Sequence, residues 1–149
     1  DQVRTAGARI VLITDGDVSG AIATDLPGSG IDIYMGSGGA PEGVLAATAL
    51  ACAGGQMQGR LIFRHDSERA KARAAGHCDL ASKLTIADMV RGDAMFAATG
   101  VTDGAILMGV RRHRGGAITH SLVMRARTGT MRLMESHHNF LLKEPGELK

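Results

Sequence analysis

Carboxylates and glycines lie together at two points of the sequence. Asp15, Gly16 and Asp17 follow the first apolar run, and Glu42 stands near the end of the stretch GSGGAPEG. Carboxylate oxygens are the ligands that Mg²⁺ and Mn²⁺ prefer, whereas the N–H groups of a glycine loop at a helix N-terminus attract a phosphate. Because carboxylates repel a phosphate, a bridging divalent cation would reconcile these two preferences. The pattern therefore indicates phosphoryl chemistry or the binding of a sugar or other polyol.

Both groups also have an interpretation that involves no ligand. Pro41 suits the first position of a helix, which places Glu42 in the first turn, where a carboxylate stabilises any helix by about 0.3–1 kcal/mol. Asp15, Gly16 and Asp17 are equally typical of a turn that leads into a helix. We favour the ligand interpretation because both groups follow predicted strands, and the loops after parallel strands form the ligand crevice of α/β proteins.

Other polar clusters carry weaker functional signals. The basic run RRHRGG at 111–116 either binds an anion or is a solvated loop. His137 and His138 are neighbours near the end of a predicted strand, so their side chains point to opposite faces and a shared metal ion is not expected. His120 has no nucleophile elbow beside it, which argues against a hydrolase triad. Cys52 lies within an apolar helix and is assigned to the core.

The first half of the chain alternates short apolar runs with helical patterns. Such alternation predicts βαβ units and a parallel sheet. Glycines follow the second and third predicted helices, as is usual at helix C-termini. Strands are predicted at 9–14, 31–35 and 58–64, and helices at 18–26, 44–53 and 66–76.

The last part of the chain has a different pattern. Thr85 and Asp88 have capping-box spacing for a short helix, and the string AMFAATGV is typical of a buried strand. Alternating polarity on either side of residues 128–130 predicts an antiparallel hairpin. We therefore predict a single α/β domain over residues 1–149, with a parallel or mixed sheet, flanking helices and a C-terminal antiparallel hairpin.

Composition argues against several classes of protein. A net charge of +2 and an aromatic content of 3% without Trp give no basis for nucleic-acid binding. The longest apolar run, residues 44–53, is far shorter than the roughly 20 residues that span a bilayer, and no signal peptide opens the chain. The two cysteines, Cys52 and Cys78, form no CxxC pair, which is typical of a reducing compartment. We expect a cytoplasmic protein that has neither membrane nor nucleic acid as a partner.

Four strings, in their order and spacing, carry a family resemblance. They are LITDGDVSGAI, IDIYMGSGGAPEGVLAATAL, GDAMFAATGVTDG and ITHSLVMRARTGTMR. Together they resemble the bacterial class II fructose-1,6-bisphosphatases. The resemblance implies the layered α/β architecture of the lithium-sensitive, metal-dependent sugar phosphatase superfamily. It also implies hydrolysis of the 1-phosphate of fructose 1,6-bisphosphate with Mn²⁺ or Mg²⁺, in gluconeogenesis, by an assembly of several subunits.

The same resemblance implies a role for each residue of the two glycine-rich groups. Asp15, Gly16 and Asp17 match the family's sugar-contacting stretch. Gly39 matches a backbone contact to the substrate, and Glu42 matches a metal ligand.

Only the C-terminal half of such an enzyme has a counterpart in this chain. The catalytic residues and most metal ligands are therefore expected upstream of Asp1, and the missing N-terminal half is an expected partner. Residues 1–6, which look like the tail of a helix already under way, agree with this view. Alone, the chain is expected to be inactive.

Two alternatives remain open. The substrate could be another polyol phosphate, such as sedoheptulose 1,7-bisphosphate or an inositol phosphate. The chain could also be a non-catalytic α/β module that binds a nucleotide through its glycine loop. No GxGxxG motif follows the first predicted strand, which argues against a dinucleotide.

Overall fold

The computed structural model describes residues 1–14 and 16–142. Within these residues the helices are α1 Gln2–Thr5, α2 Asp17–Ala23, α3 Ala40–Ala53, α4 Asp66–Ala74 and α5 Ile86–Met89. The strands are β1 Gln58–Gly59, β2 Leu84–Thr85, β3 Met95–Thr99, β4 Arg111–His113, β5 Gly116–Arg125 and β6 Thr130–Asn139. Short 3₁₀ turns follow β5 and β6, at Ala126–Thr128 and Phe140–Leu142.

Strand β5 is the central strand of a four-stranded sheet. Strand β6 pairs with it along its whole length, from Gly116 opposite Asn139 to Arg125 opposite Thr130. The other edge of β5 is shared by β3 and β4, and every pair in this sheet is antiparallel. Gly129, with φ at 57°, makes the turn between β5 and β6. The predicted hairpin and the predicted strand at AMFAATGV are thus confirmed.

The main core lies where α2 and α3 pack on one face of this sheet. Leu122 and Met124 of β5 are each 1% exposed, because alternate residues of a strand share a face. They meet Cys52 of α3, Phe96 of β3 and Ile22 of α2. Burial raises the pKa of the Cys52 thiol. The assignment of Cys52 to the core is therefore confirmed.

Helix α3 is the longest helix of the described residues and has sharp ends. Pro41 occupies its first turn, and Gly54 ends it in the left-handed conformation, with φ at 93°. The small side chains of Ala46, Ala47 and Ala49 are buried and let the helix approach its neighbours closely. A second cluster, in which Leu50 is buried, joins α3 to α2 and to the half-buried Tyr34.

The three strands predicted in the first half of the chain are not formed as expected. Residues 9–14 and 31–35 form no regular structure, and the third segment retains only the two residues of β1, which pair antiparallel with β2. Several of their apolar side chains are open to solvent: Leu12 is 82% exposed, Ile62 75% and Met35 68%. A strand exists only when a neighbour satisfies its backbone groups, and beyond β2 the described residues supply none to these segments. The predicted parallel sheet is wrong for this part of the chain.

The helix predictions agree with the structure more closely than the strand predictions, because helix formation depends on local sequence. Helices α2, α3 and α4 lie within or close to the predicted ranges. Thr85 precedes α5 and bonds Asp88, so the predicted capping box is confirmed. The N-cap of α4 is His65. None of the helices in the described ranges is both long and apolar enough to cross a membrane.

Candidate functional site

The glycine loop and the first turn of α3 hold the carboxylate of Glu42. The backbone N–H of Gly39 donates a hydrogen bond to Glu42 Oε2 at 2.7 Å. Glu42 therefore caps its own helix, as the interpretation without a ligand predicts. Its other oxygen, Oε1, accepts no hydrogen bond from any residue that the structure describes. The capping role thus leaves half of the carboxylate free.

Asp17 begins α2 and is held by a side chain from outside that helix. The hydroxyl of Tyr34 donates to Asp17 Oδ1 at 2.8 Å. Burial, followed by this hydrogen bond and by the charge of Asp17, raises the pKa of Tyr34. The phenol is therefore neutral at physiological pH and remains a donor. Asp17 Oδ2 has no hydrogen-bond partner among the described residues.

Gly38 brings the two carboxylates to one place. A Cβ atom built on Gly38 would lie 2.7 Å from Asp17 Oδ2 and 3.5 Å from Glu42 Oε2. The two acids therefore approach the same side of the glycine loop, although 25 positions of sequence numbering separate them. A side chain at position 38 would have to displace Asp17, so this approach requires glycine.

Other glycines fit the loop around the acids. A Cβ on Gly39 would lie 2.6 Å from Glu42 Oε2, so a side chain there would shift the end of Glu42. A Cβ on Gly20 would lie 2.9 Å from the Tyr34 ring, which shows how closely α2 approaches this tyrosine. Gly16 precedes α2 with φ at 79°, a conformation that residues with a side chain rarely adopt.

The predicted site residues are thus partly brought together. Gly16, Asp17, Gly39 and Glu42 lie around the N-termini of α2 and α3. Asp15 falls outside the described residues. Tyr34 was not predicted from sequence, and its position in an apolar run gave no signal of a contact with Asp17.

This donor set fits part of a divalent-cation site. Mg²⁺ takes about six oxygen ligands, several of them water or substrate oxygens. Asp17 Oδ2 and Glu42 Oε1 are unpaired carboxylate oxygens of the kind that such a cation binds. Two carboxylates do not complete a site, and within residues 1–14 and 16–142 no group of three or more possible ligands is found.

The remaining polar candidates have structural partners. His137 bonds Glu135 Oε1 at 2.7 Å, and His138 bonds the hydroxyl of Thr119 on the other face at 3.0 Å. The prediction that these two histidines face apart is confirmed. His120 bonds Glu135 Oε2 at 3.1 Å. The hydrogen bonds from His137 and His120 hold the pKa of Glu135 below its ordinary value.

Known proteins resemble this chain along nearly its whole length. Residues 1–138 match the family described as "Bacterial fructose-1,6-bisphosphatase, glpX-encoded". A protein of Synechococcus sp. (strain JA-2-3B'a(2-13)), named "D-fructose 1,6-bisphosphatase class 2/sedoheptulose 1,7-bisphosphatase", is 39% identical over 150 residues, which cover 92% of this chain and 43% of the relative. A protein of Acaryochloris marina with the same name and the suffix 2 is 39% identical over 152 residues, covering 93% and 44%.

These matches place the chain among phosphatase sequences. It belongs to the bacterial, glpX-encoded fructose-1,6-bisphosphatase family, as its four strings predicted. The chain spans less than half the length of the curated relatives that it matches.

Proposed function

We propose that this chain forms part of a metal-dependent fructose-1,6-bisphosphatase, to which it contributes sugar recognition and a metal-ligating carboxylate. The convergence of Asp17 and Glu42 on Gly38 is the observation that supports this most strongly. Family membership supports the reaction, which is hydrolysis of the 1-phosphate of fructose 1,6-bisphosphate to fructose 6-phosphate.

Glu42 would hold Mn²⁺ or Mg²⁺ through Oε1, because Oε2 already accepts the N–H of Gly39. A bound divalent cation polarises a phosphoryl oxygen and lowers the pKa of a bound water. The Gly39 N–H is engaged by Glu42, so Gly39 would contact the substrate by close approach of its backbone. Such approach requires the absence of a side chain.

Asp17 would accept a hydrogen bond from a sugar hydroxyl through Oδ2. Tyr34 occupies Oδ1 and so fixes the orientation of the carboxylate. Asp15 and Gly16 would complete this sugar-contacting stretch, by the family resemblance. A carboxylate that is held in place before the substrate arrives loses less conformational entropy on binding.

The catalytic residues and the other metal ligands would come from the part of the family protein that precedes the matched region. The exposed segments 10–13 and 31–35 support this arrangement, because their apolar side chains would be covered if those segments became strands of a shared sheet. The layered architecture, the assembly of several subunits and the cytoplasmic location follow from the same proposal.

Sedoheptulose 1,7-bisphosphate is the second candidate substrate, since the names of the relatives from Synechococcus and Acaryochloris include it. It carries the same phosphorylated end as fructose 1,6-bisphosphate and differs in length at the other. Asp17 and Glu42 would serve both substrates alike, so discrimination would depend on residues elsewhere in the protein.

Phosphate release by the full-length protein tests the proposal. We expect Mn²⁺-dependent turnover of fructose 1,6-bisphosphate, and a fall of roughly 100-fold or more in the Glu42→Gln variant, since a lost metal ligand removes several kcal/mol of transition-state stabilisation. Glu68→Gln is the matched control, because Glu68 also accepts a backbone N–H at a helix N-terminus, that of Arg64 at 2.7 Å. Equal activity of the two variants would contradict the role of Glu42 as a metal ligand and would leave it only the role of a helix cap. Parallel assays with sedoheptulose 1,7-bisphosphate identify the preferred substrate.

A further inference from the structure

An open pocket at one end of the β5–β6 hairpin joins two segments that lie far apart in sequence. The basic turn between β4 and β5 forms one side, and the end of β6 forms the other. Its volume is about 270 Å³. The lining residues are His113, Arg114, Gly115, His137, His138, Asn139 and Leu141.

The pairing of the strands explains why these segments meet. Gly116 pairs with His113 on one edge of β5 and with Asn139 on the other. A Cβ on Gly116 would lie 2.8 Å from the His113 ring and would collide with the carbonyl of His138. Glycine at this position therefore lets the two segments close on each other. RRHRGG and the histidine pair are separate features of the sequence, whereas the fold brings them to one pocket.

The turn that carries Arg114 has a defined conformation. It is a two-residue connection between His113 and Gly116, with φ at +82° for Gly115, as in a type II turn. The Arg114 carbonyl lies 3.2 Å from His113 Nδ1, and since a carbonyl only accepts, Nδ1 carries the proton. His113 Nε2 is therefore left for another partner, and it donates when the ring is protonated.

Among the described lining residues, Arg114 carries a permanent positive charge. Arg114 is exposed and has no carboxylate partner among the described residues. The neighbouring Arg111, in contrast, is paired with Asp103 at 2.8 Å. Glu135, two positions before His137 in β6, is engaged by His137 and His120. An anion in the pocket would thus meet the free guanidinium of Arg114 and the ring of His113.

We propose that this pocket binds a phosphate-type anion, either inorganic phosphate or a small phosphate monoester. An arginine side chain offers paired N–H donors that match phosphate oxygens, and a protonated imidazole adds a further charged donor. The pocket is below the range of about 300–1,000 Å³ that is usual for drug-sized ligands, which favours a small anion. It shares no residue with the site of Asp17 and Glu42, so the proposal does not depend on the proposed function.

Phosphate binding to the full-length protein tests this site. The measurement is isothermal titration with inorganic phosphate, without divalent cations and at mildly acidic pH, where histidine is substantially protonated. The Asp17→Asn, Glu42→Gln double variant serves as the background, because it disables the other candidate site. We expect this background to retain phosphate binding, and Arg114→Gln within it to weaken binding by about tenfold or more, as for the loss of one charge-assisted pair.

Arg73→Gln is the matched control, since Arg73 is an exposed arginine of α4 that makes no side-chain bond among the described residues. Absence of phosphate binding in the background, or equal binding by the Arg114 and Arg73 variants, would overturn the proposal. Competition by glycerol 3-phosphate would identify a monoester as a ligand, whereas its failure to compete with bound phosphate would identify the free anion.

Discussion

Asp17 and Tyr34 form the part of the candidate site that depends on a single hydrogen bond. The Tyr34 hydroxyl fixes one carboxylate oxygen and leaves Oδ2 for a ligand. The ring itself packs against Gly20, so removing only the hydroxyl would leave this packing intact. Tyr34 is therefore a positioning residue, which acts on the ligand through Asp17.

Tyr34→Phe should weaken substrate binding without abolishing catalysis. We expect KM to rise roughly three- to tenfold, which is less than the loss of a hydrogen bond to a charged group, about 1.5–3 kcal/mol, would give, because Asp17 itself remains in place. Steady-state kinetics of the full-length protein provide the measurement. A fall in kcat at unchanged KM would contradict a role limited to positioning Asp17.

Gly38 and Gly43 provide a matched pair of glycines. An alanine at position 38 would press against Asp17 Oδ2, whereas a Cβ at position 43 meets nothing within 4 Å. Gly38→Ala should lower activity while the protein stays folded, because a side chain there displaces the carboxylate. Gly43→Ala should keep activity and stabilise α3 by about 0.5–1 kcal/mol. Kinetics and thermal unfolding of both variants test this, and equal activity of the two would contradict the geometry around Gly38.

Among the elements, β3 and β5 are joined by an ion pair as well as by their ladder. Arg125 at the end of β5 donates to both carboxylate oxygens of Asp93, which precedes β3. The hydrogen bonds from Arg125 hold the pKa of Asp93 below its ordinary value. A carboxyl group of this kind stabilises the fold above its unfolded pKa, and the contribution is lost as pH falls through the folded pKa.

Asp93→Asn should therefore destabilise the protein at neutral pH and matter less in acid. We expect the difference in melting temperature between wild type and variant to shrink as pH falls below about 4, the ordinary range of an aspartate. Thermal unfolding at several pH values measures this. Asp66→Asn is the control, because its ion pair with Arg69 spans 3.6 Å and Asp66 is fully exposed. A difference that does not depend on pH would contradict the role of the Asp93 charge.

The sequence predicted elements well where the signal is local. Glycine and capping residues placed α3 and α5, and alternation around Gly129 placed the hairpin. The apolar runs at 9–14 and 31–35 had an equally clear pattern but formed no strands among the described residues. Their pairing would need strands from elsewhere, which no local pattern can supply. The contact between Tyr34 and Asp17 was missed for the same reason, because it depends on how α2 packs.

At the scale of the whole molecule, the candidate site is incomplete within this chain. Of the two converging carboxylates, one, Glu42, is the proposed metal ligand, whereas a divalent cation takes about six ligands. The curated relatives are more than twice as long as the part that matches. Tests of metal binding therefore belong to the full-length protein, in which the other ligands would be present.

Mn²⁺ binding measured by electron paramagnetic resonance is the direct test of whether Glu42 is a metal ligand. Full-length wild type, Glu42→Gln and Glu68→Gln would be titrated with Mn²⁺ in the absence of substrate. We expect Glu42→Gln to bind Mn²⁺ at least about tenfold more weakly, since loss of even the groups that orient a metal ligand typically costs 10–100-fold. We expect no change for Glu68→Gln, which loses only the charge of a helix cap. Wild-type Mn²⁺ affinity in Glu42→Gln would contradict the assignment of Glu42 as a metal ligand.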